Sequence, residues 1–242
     1  MNRTDNIFSI VVILLVMQVG GLLAQDAQTV VDRYLEAIGG AASWRAVKTM
    51  TITGDYKSFS VIEPFTLYRA RDNQYRFDHH LNRNKVVVAC DGRKTWQINP
   101  LYDSEAPMWI PNGDSLVVLR DAPIEPVFLD AASKGHRISY LGEEEIDGQG
   151  AQVLKIALAD SSEEVWYFDR ETFLPFKMSG STYDFGRKVP LETFFTDYRR
   201  VGEVMIPFVV EQEFETRYRV YTLASVRLDE TLAESLFQKP AE

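Results

Sequence analysis

Few side chains in this 242-residue chain stand at spacings that catalysis or metal binding would require. Ser179-Gly180-Ser181 offers two hydroxyls, but the glycine that precedes the nucleophile in a strand-turn-helix elbow is missing, and no strand-helix alternation surrounds the triplet. His79 and His80 are neighbours in a segment that reads as a strand, so their side chains point to opposite faces and cannot readily chelate one ion. His136 stands alone after a helix end and reads as solvated, a shared metal site being the alternative. Glu143-Glu144-Glu145 precedes an Asp147-Gly148 turn; an exposed hairpin end accounts for it, a calcium site being the rival. Cys90 is the only cysteine, which excludes an intrachain disulfide and fits a small buried strand residue. No catalytic residues, metal site or cofactor are expected.

The chemistry that the composition favours is apolar contact. Trp96, Trp109, Trp166, Phe65, Phe77, Phe128, Phe168, Phe176, Phe194 and Phe208 supply far more large apolar surface than the positioning of a catalytic group would use. Most must be core. The remainder, together with Leu67, Val127 and Leu129, could line a pocket for a lipidic ligand. The candidate lining is therefore Phe65, Leu67, Phe77, Trp96, Trp109, Val127, Phe128 and Leu129, with core and cavity undivided at this point. An acyl chain needs only continuous apolar surface, and burial of each methylene contributes ~0.8 kcal/mol, enough for useful but reversible binding.

The elements that must position these residues are mostly strands. Val30, Val31, Tyr34, Leu35 and Ile38 recur at helical spacing, and Gly39-Gly40 closes that helix. Ser43 to Val47 reads as another short helical turn, and Thr49 to Tyr56 alternates as a strand. Phe65 to Leu81 forms a hairpin around Asp72-Asn73-Gln74, and Val86 to Ala89 pairs with Thr95 to Ile98 through an Asp91-Gly92 turn. Seven further β segments lie between Arg137 and Arg227, giving about ten or more short antiparallel strands. Between Leu101 and Gly135, Pro107, Pro111, Pro123 and Pro126 are expected to forbid a continuous strand or helix, leaving a loop with a short apolar helix at Pro126–Ala132. A sheet this large must bury a face, and only modest helical elements are available to cover it. The predicted fold is mainly β (α+β): a large curved antiparallel sheet forming an incomplete half-barrel with helical lid elements. Val86–Ala89 and Met205–Val210 are apolar at consecutive positions, so both sheet faces there are expected to be out of water.

Arg3 followed by an apolar run from Ile7 to Val19, Gly20-Gly21 and Ala24 has the layout of a cleaved secretory signal over residues 1–24, leaving 25–242 as a single domain. A retained membrane anchor is the rival, since the run approaches the ~20 residues of a spanning helix. Leu22-Leu23-Ala24-Gln25 resembles a lipoprotein signal whose cysteine is replaced by Gln25, so lipid attachment there is impossible. Cleavage removes one basic residue (Arg3) and one acidic residue (Asp5), so the net charge stays at −9. An acidic chain without a basic stripe argues against nucleic acid and against anionic headgroup surfaces as partners.

The phrases Arg71-Asp72-Asn73-Gln74-Tyr75-Arg76-Phe77 and Asp91-Gly92-Arg93-Lys94-Thr95-Trp96-Gln97-Ile98-Asn99-Pro100 together resemble the outer-membrane lipoprotein chaperones of Gram-negative bacteria, the LolA/LolB-like family. The resemblance covers most of the exported chain loosely. It implies a periplasmic, non-enzymatic carrier that binds acyl chains of lipoproteins or a related lipid. It also implies that Arg71 clasps the lid, although Asp72 stands where the family usually has proline, which leaves a two-residue slip onto Arg69 open. Residues 223–240 resemble the family's closing segment, and an end at Glu242 without the archetypal carrier's extended tail implies a different delivery complex or cargo. Two rivals remain: a sensor module of the same shape that binds a membrane-anchored regulatory partner, and an enzyme acting on lipid.

Overall fold

The computed structural model describes residues 26–81, 83–100, 104–184, 186–215 and 217–241. The expected signal at 1–24 and Gln25 lie outside them. A first helix, α1 (residues 26–37), buries Val30, Val31 and Tyr34, the apolar face that the sequence spacing displays. It ends at Gly39 and Gly40, both at positive φ, where the Gly40 N–H donates to Leu35 O at 2.7 Å. A short helix α2 (Ala41–Ala46) follows.

Six strands then form a meander: β1 (Thr49–Ser58), β2 (Val61–Ala70), β3 (Gln74–Leu81), β4 (Asn84–Asp91), β5 (Thr95–Asn99) and β6 (Ser104–Trp109). After α3 (Asn112–Asp121) come β7 (Arg137–Ile146), β8 (Gln149–Ala157), β9 (Glu163–Asp169), β10 (Pro175–Asp184), β11 (Arg187–Val201), β12 (Val204–Phe214) and β13 (Tyr218–Leu228). All thirteen join one antiparallel sheet in the order β6-β5-β4-β3-β2-β1-β13-β12-β11-β10-β9-β8-β7. The last strand therefore zips the two meanders together along β1. Strands β6 and β7 are left as edges and the sheet does not close into a barrel. The half-barrel expected from the sequence is the observed architecture.

The first hairpin turns at Asp72 and Asn73, both at positive φ (62° and 60°), a backbone that short polar side chains tolerate. The β1–β13 pairing slips at Thr53/Gly54, and a Cβ on Gly54 would lie 2.1 Å from Thr222 O. The two strands approach too closely there for any side chain.

The proline-rich interruption differs from its expectation. Residues 127–135 form successive turns, with Leu129 N–H donating to Pro126 O and His136 N–H to Ala131 O, so the short apolar helix at Pro126–Ala132 is not formed. The helix of this region is α3, which fits between Pro111 as its N-cap and Pro123 beyond its end. Pro107 sits within β6, an edge strand, where a missing N–H is tolerated. Prolines here flank a helix or lie in an edge strand and do not exclude regular elements.

Both faces of the sheet are covered around β4, as its unbroken apolar run requires. Val88 pairs with Phe77 and faces the side occupied by the helices, whereas Val87 and Ala89 face the other way and pack with Trp96. On that second face the segment after β13 acts as a strap. Trp96 Nε1 donates to Phe237 O at 2.8 Å, Arg76 Nη1 donates to Leu236 O at 2.9 Å, and Phe237 is buried.

Candidate functional site

On the helix-covered face, a cavity of about 900 Å³ lies between the sheet and a cover made of α1, α2, α3 and residues 122–136. That volume is at the upper end of ordinary ligand pockets, ~300–1,000 Å³. Side-chain alternation explains the wall. Phe65, Leu67 and Arg69 on β2 project to the same side as Tyr75 and Phe77 on β3, and Arg219, Tyr221 and Leu223 extend that surface across β13. Tyr56, Phe65, Phe77 and Tyr221 form one aromatic group with ring centroids 5.0–6.0 Å apart. A second group joins Tyr34, Phe128, Phe168 and Trp166, and Trp166 stacks on Phe195 at 5.4 Å.

Of the residues expected to line a pocket, Phe65, Leu67, Phe77 and Val127 are on the cavity wall. Phe128 and Leu129 lie behind it, 2% and 1% exposed, and fill the core between α1 and β9. Trp96 faces the strap on the opposite side of the sheet, because it pairs with Ala89 and so has the parity opposite to Phe77. Trp109 is on the edge strand, half exposed, with the ammonium groups of Lys94 and Lys239 over its ring. Composition alone could not separate these environments. Strand parity, read along β2 and β3 from Phe65 and Phe77, would have pointed to Arg69 and Tyr75, whereas Tyr221 and Leu223 join that surface only through the pairing of β13 with β1.

Arg71 binds the cover. Its Nη2 donates to Trp44 O at 2.5 Å and its Nε to Val47 O at 2.7 Å, the carbonyls that the C-terminus of α2 leaves unpaired. Nη1 forms an ion pair with Glu125 at 2.7 Å, and Lys134 meets the other Glu125 oxygen at 3.5 Å. Arg45 of α2 and Asp130 form a two-pronged pair at 2.7 and 3.0 Å that holds the carboxyl of Asp130 below its ordinary pKa. One turn residue of the sheet is thus tied both to a helix and to the 122–136 segment.

α3 bridges the two halves of the sheet. Ser115 Oγ is 2.8 Å from Thr95 Oγ1 on β5, while Arg120 donates to Ser181 O on β10 and pairs with Asp160 at 2.8 Å. The wall also carries ionisable groups. Burial raises the carboxyls of Glu164 and Asp121 above their usual values, opposed at Glu164 by the Trp166 indole N–H at 2.8 Å and at Asp121 by the charge of Arg69 and then Arg219. His136 is at the cavity margin, its ring nitrogen 3.1 Å from the Ala159 N–H, and burial lowers its pKa. Among the described residues, no group of three or more His, Cys, Asp or Glu side chains is placed to hold a metal, and no helix is long and apolar enough to cross a membrane.

No protein-family model matches the chain, and no curated protein matches it by sequence. Solved structures do match its fold. A LolA superfamily protein from Nitrosomonas europaea superposes with a TM-score of 0.60 at 14% identity, over 88% of this chain and 97% of that one. A candidate outer membrane lipoprotein-sorting protein domain from Vibrio parahaemolyticus gives 0.60 at 13% identity, over 89% and 97%. A DUF1329 family protein from Desulfovibrio piger gives 0.59 at 15% identity, over 88% and 97%.

Proposed function

We propose that this chain, whose fold is LolA-like, is an exported carrier that binds the acyl chains of lipoproteins or a related lipid in its concave-face cavity and takes part in outer-membrane lipid or lipoprotein transport. The observation that carries the reading is the cavity itself: about 900 Å³ walled by Met50, Ile52, Phe65, Leu67, Phe77 and Leu223 and roofed by separate small elements. Close packing is the rule for protein interiors, so an apolar space of this size that the chain's own side chains leave unfilled calls for a ligand. The roof supports a ferry more than a permanent store. It is fixed by polar contacts at Arg71, Arg45 and Arg120, which water can replace, and by the core residues Phe128 and Leu129 behind it. Arg71 would then act as a lid clasp, coupling movement of α2 and residues 122–136 to loading and release. Lipoprotein sorting, the role given to the Vibrio parahaemolyticus neighbour, agrees with a periplasmic site of action.

Native mass spectrometry of the protein purified from its own envelope fraction tests the assignment. A co-purified lipid or acylated peptide is the expected result, on a chain that begins near Gln25. One unacylated polypeptide bound to a ligand-free chain would replace the carrier by a sensor of a membrane-anchored partner.

A further inference from the structure

The cavity is not uniformly apolar. Arg69 projects into it from the end of β2, and its guanidinium makes no hydrogen bond or ion pair with any described residue. Its contact is the ring of Tyr75, 5.9 Å from Cζ to the centroid, and its Nε is buried without an acceptor. Arg219 on β13 also lines the cavity with a buried, unpartnered Nε. Its guanidinium lies over Phe214 at 4.5 Å and forms a long ion pair with Asp184 at 3.6 Å, on the carboxylate oxygen that Arg217 also engages. Asp121, the last residue of α3, faces the same space and likewise makes no hydrogen bond or ion pair with a described residue. Two cationic side chains, Arg69 without a polar partner among the described residues and Arg219 held by one long, shared ion pair, thus line the cavity beside the aromatic wall of Phe65, Phe77 and Tyr221. A buried donor without an acceptor is unfavourable, and an oxyanion beside a guanidinium forms the stronger, charge-assisted kind of hydrogen bond.

We propose that the cavity takes an amphiphile with an acidic headgroup, a carboxylate or phosphate, whose oxygens are held by Arg69, with Arg219 adding positive charge to the same cavity, while its chain lies along the aromatic wall. The inference rests on the carrier reading and narrows it. The acylated end of a lipoprotein presents esters and amides next to its chains and no acid group, so a free acidic lipid fits these arginines better. Asp121 is the group that a bound acid must displace electrostatically, since it shares the field of both arginines and carries the ligand's sign.

Titration calorimetry of the delipidated protein with four twelve-carbon probes, each below its micelle concentration at pH 8, tests this. Laurate or dodecyl phosphate should bind ~10-fold or more tightly than dodecanol, and dodecyltrimethylammonium should bind weakest. Preference for laurate alone identifies a fatty acid as the class, and preference for dodecyl phosphate alone identifies a phospholipid. Arg69→Gln with Arg219→Gln should bring the acids down to the affinity of dodecanol, and Asp121→Asn should tighten the acids several-fold without changing dodecanol. Equal binding of all four probes by the unaltered protein overturns the headgroup site while leaving an apolar carrier intact. Binding of none overturns both. The comparison among probes needs no variant, so it decides the matter even if the substituted proteins fold poorly.

Discussion

Arg69 and Arg71 are two positions apart in sequence, yet their guanidinium groups have different environments. Arg71 makes three charge-assisted hydrogen bonds, and its loss leaves Glu125 and two helix-end carbonyls without their main donor. Arg71→Leu should therefore lower unfolding free energy by about 1–3 kcal/mol and slow or uncouple ligand transfer to an acceptor. Arg69→Leu removes no protein hydrogen bond and should change stability little. Urea titrations of the two variants check the contrast, and equal losses would contradict it. Glu164 gives a pH test. Its folded pKa is raised above the ordinary 4.5 by burial, so the ionised form is penalised in the folded state at neutral pH, and that penalty fades as pH falls through the folded value towards 4.5. Glu164→Gln keeps an acceptor for the Trp166 indole. Its melting temperature should exceed that of the unaltered protein at pH 8 and converge with it near pH 4; a gap that persists at pH 4 would assign the effect to something other than ionisation.

At the scale of elements, the α1–α2 corner and the 122–136 segment fix the roof in different ways. At the corner Met205 N–H donates to Ile38 O at 2.9 Å, and a Cβ on Gly39 would lie 1.9 Å from Glu203 O with φ at +105°. Gly39→Ala should cost about 2–4 kcal/mol, because strained backbone and a steric clash combine, and thermal unfolding would register it. In residues 122–136 the neighbours Val127 and Phe128 divide the work between cavity and core. Phe128→Ala should lower stability by about 3–5 kcal/mol through the cavity left among Tyr34, Trp166 and Phe168. Val127→Asp should instead weaken binding of a fluorescent fatty acid while leaving the far-ultraviolet circular dichroism intact. The reverse pattern would exchange the two assignments.

At the scale of the whole molecule, function depends on a sheet that curves without closing. The pairing of β1 with β13 joins the first and last strands, and the cavity lies over that join, with walls from both meanders. Filling it should oppose binding without disturbing the fold. Leu67→Trp adds bulk into free space, and if it excludes two methylenes of a bound chain it removes ~1.6 kcal/mol, roughly a tenfold loss of affinity. Displacement of a fluorescent fatty acid, read beside an unchanged melting temperature, would verify it. Undiminished affinity would place the acyl chain elsewhere.

Local rules in the sequence determined much of this protein. Period-3.6 spacing at Val30, Val31 and Tyr34 specified α1, and Asp72-Asn73 and Asp91-Gly92 specified two hairpin turns, because backbone conformation and side-chain alternation act over a few residues. Too many strands for too few helices implied a curved open sheet with a partial cover. The chain by itself did not say which aromatics face the cavity. Phe77 and Trp96 are equally apolar, and only the register from β3 through β5 sends them to opposite faces, with the strap at Phe237 covering the second. Nor could it give α3 its bridging place, since Ser115 and Arg120 meet partners about 20 and 61 residues away. Most of all, the meeting of Arg69, Asp121 and Arg219 in one cavity arises when β13 returns to β1, a contact between chain ends that no local pattern encodes.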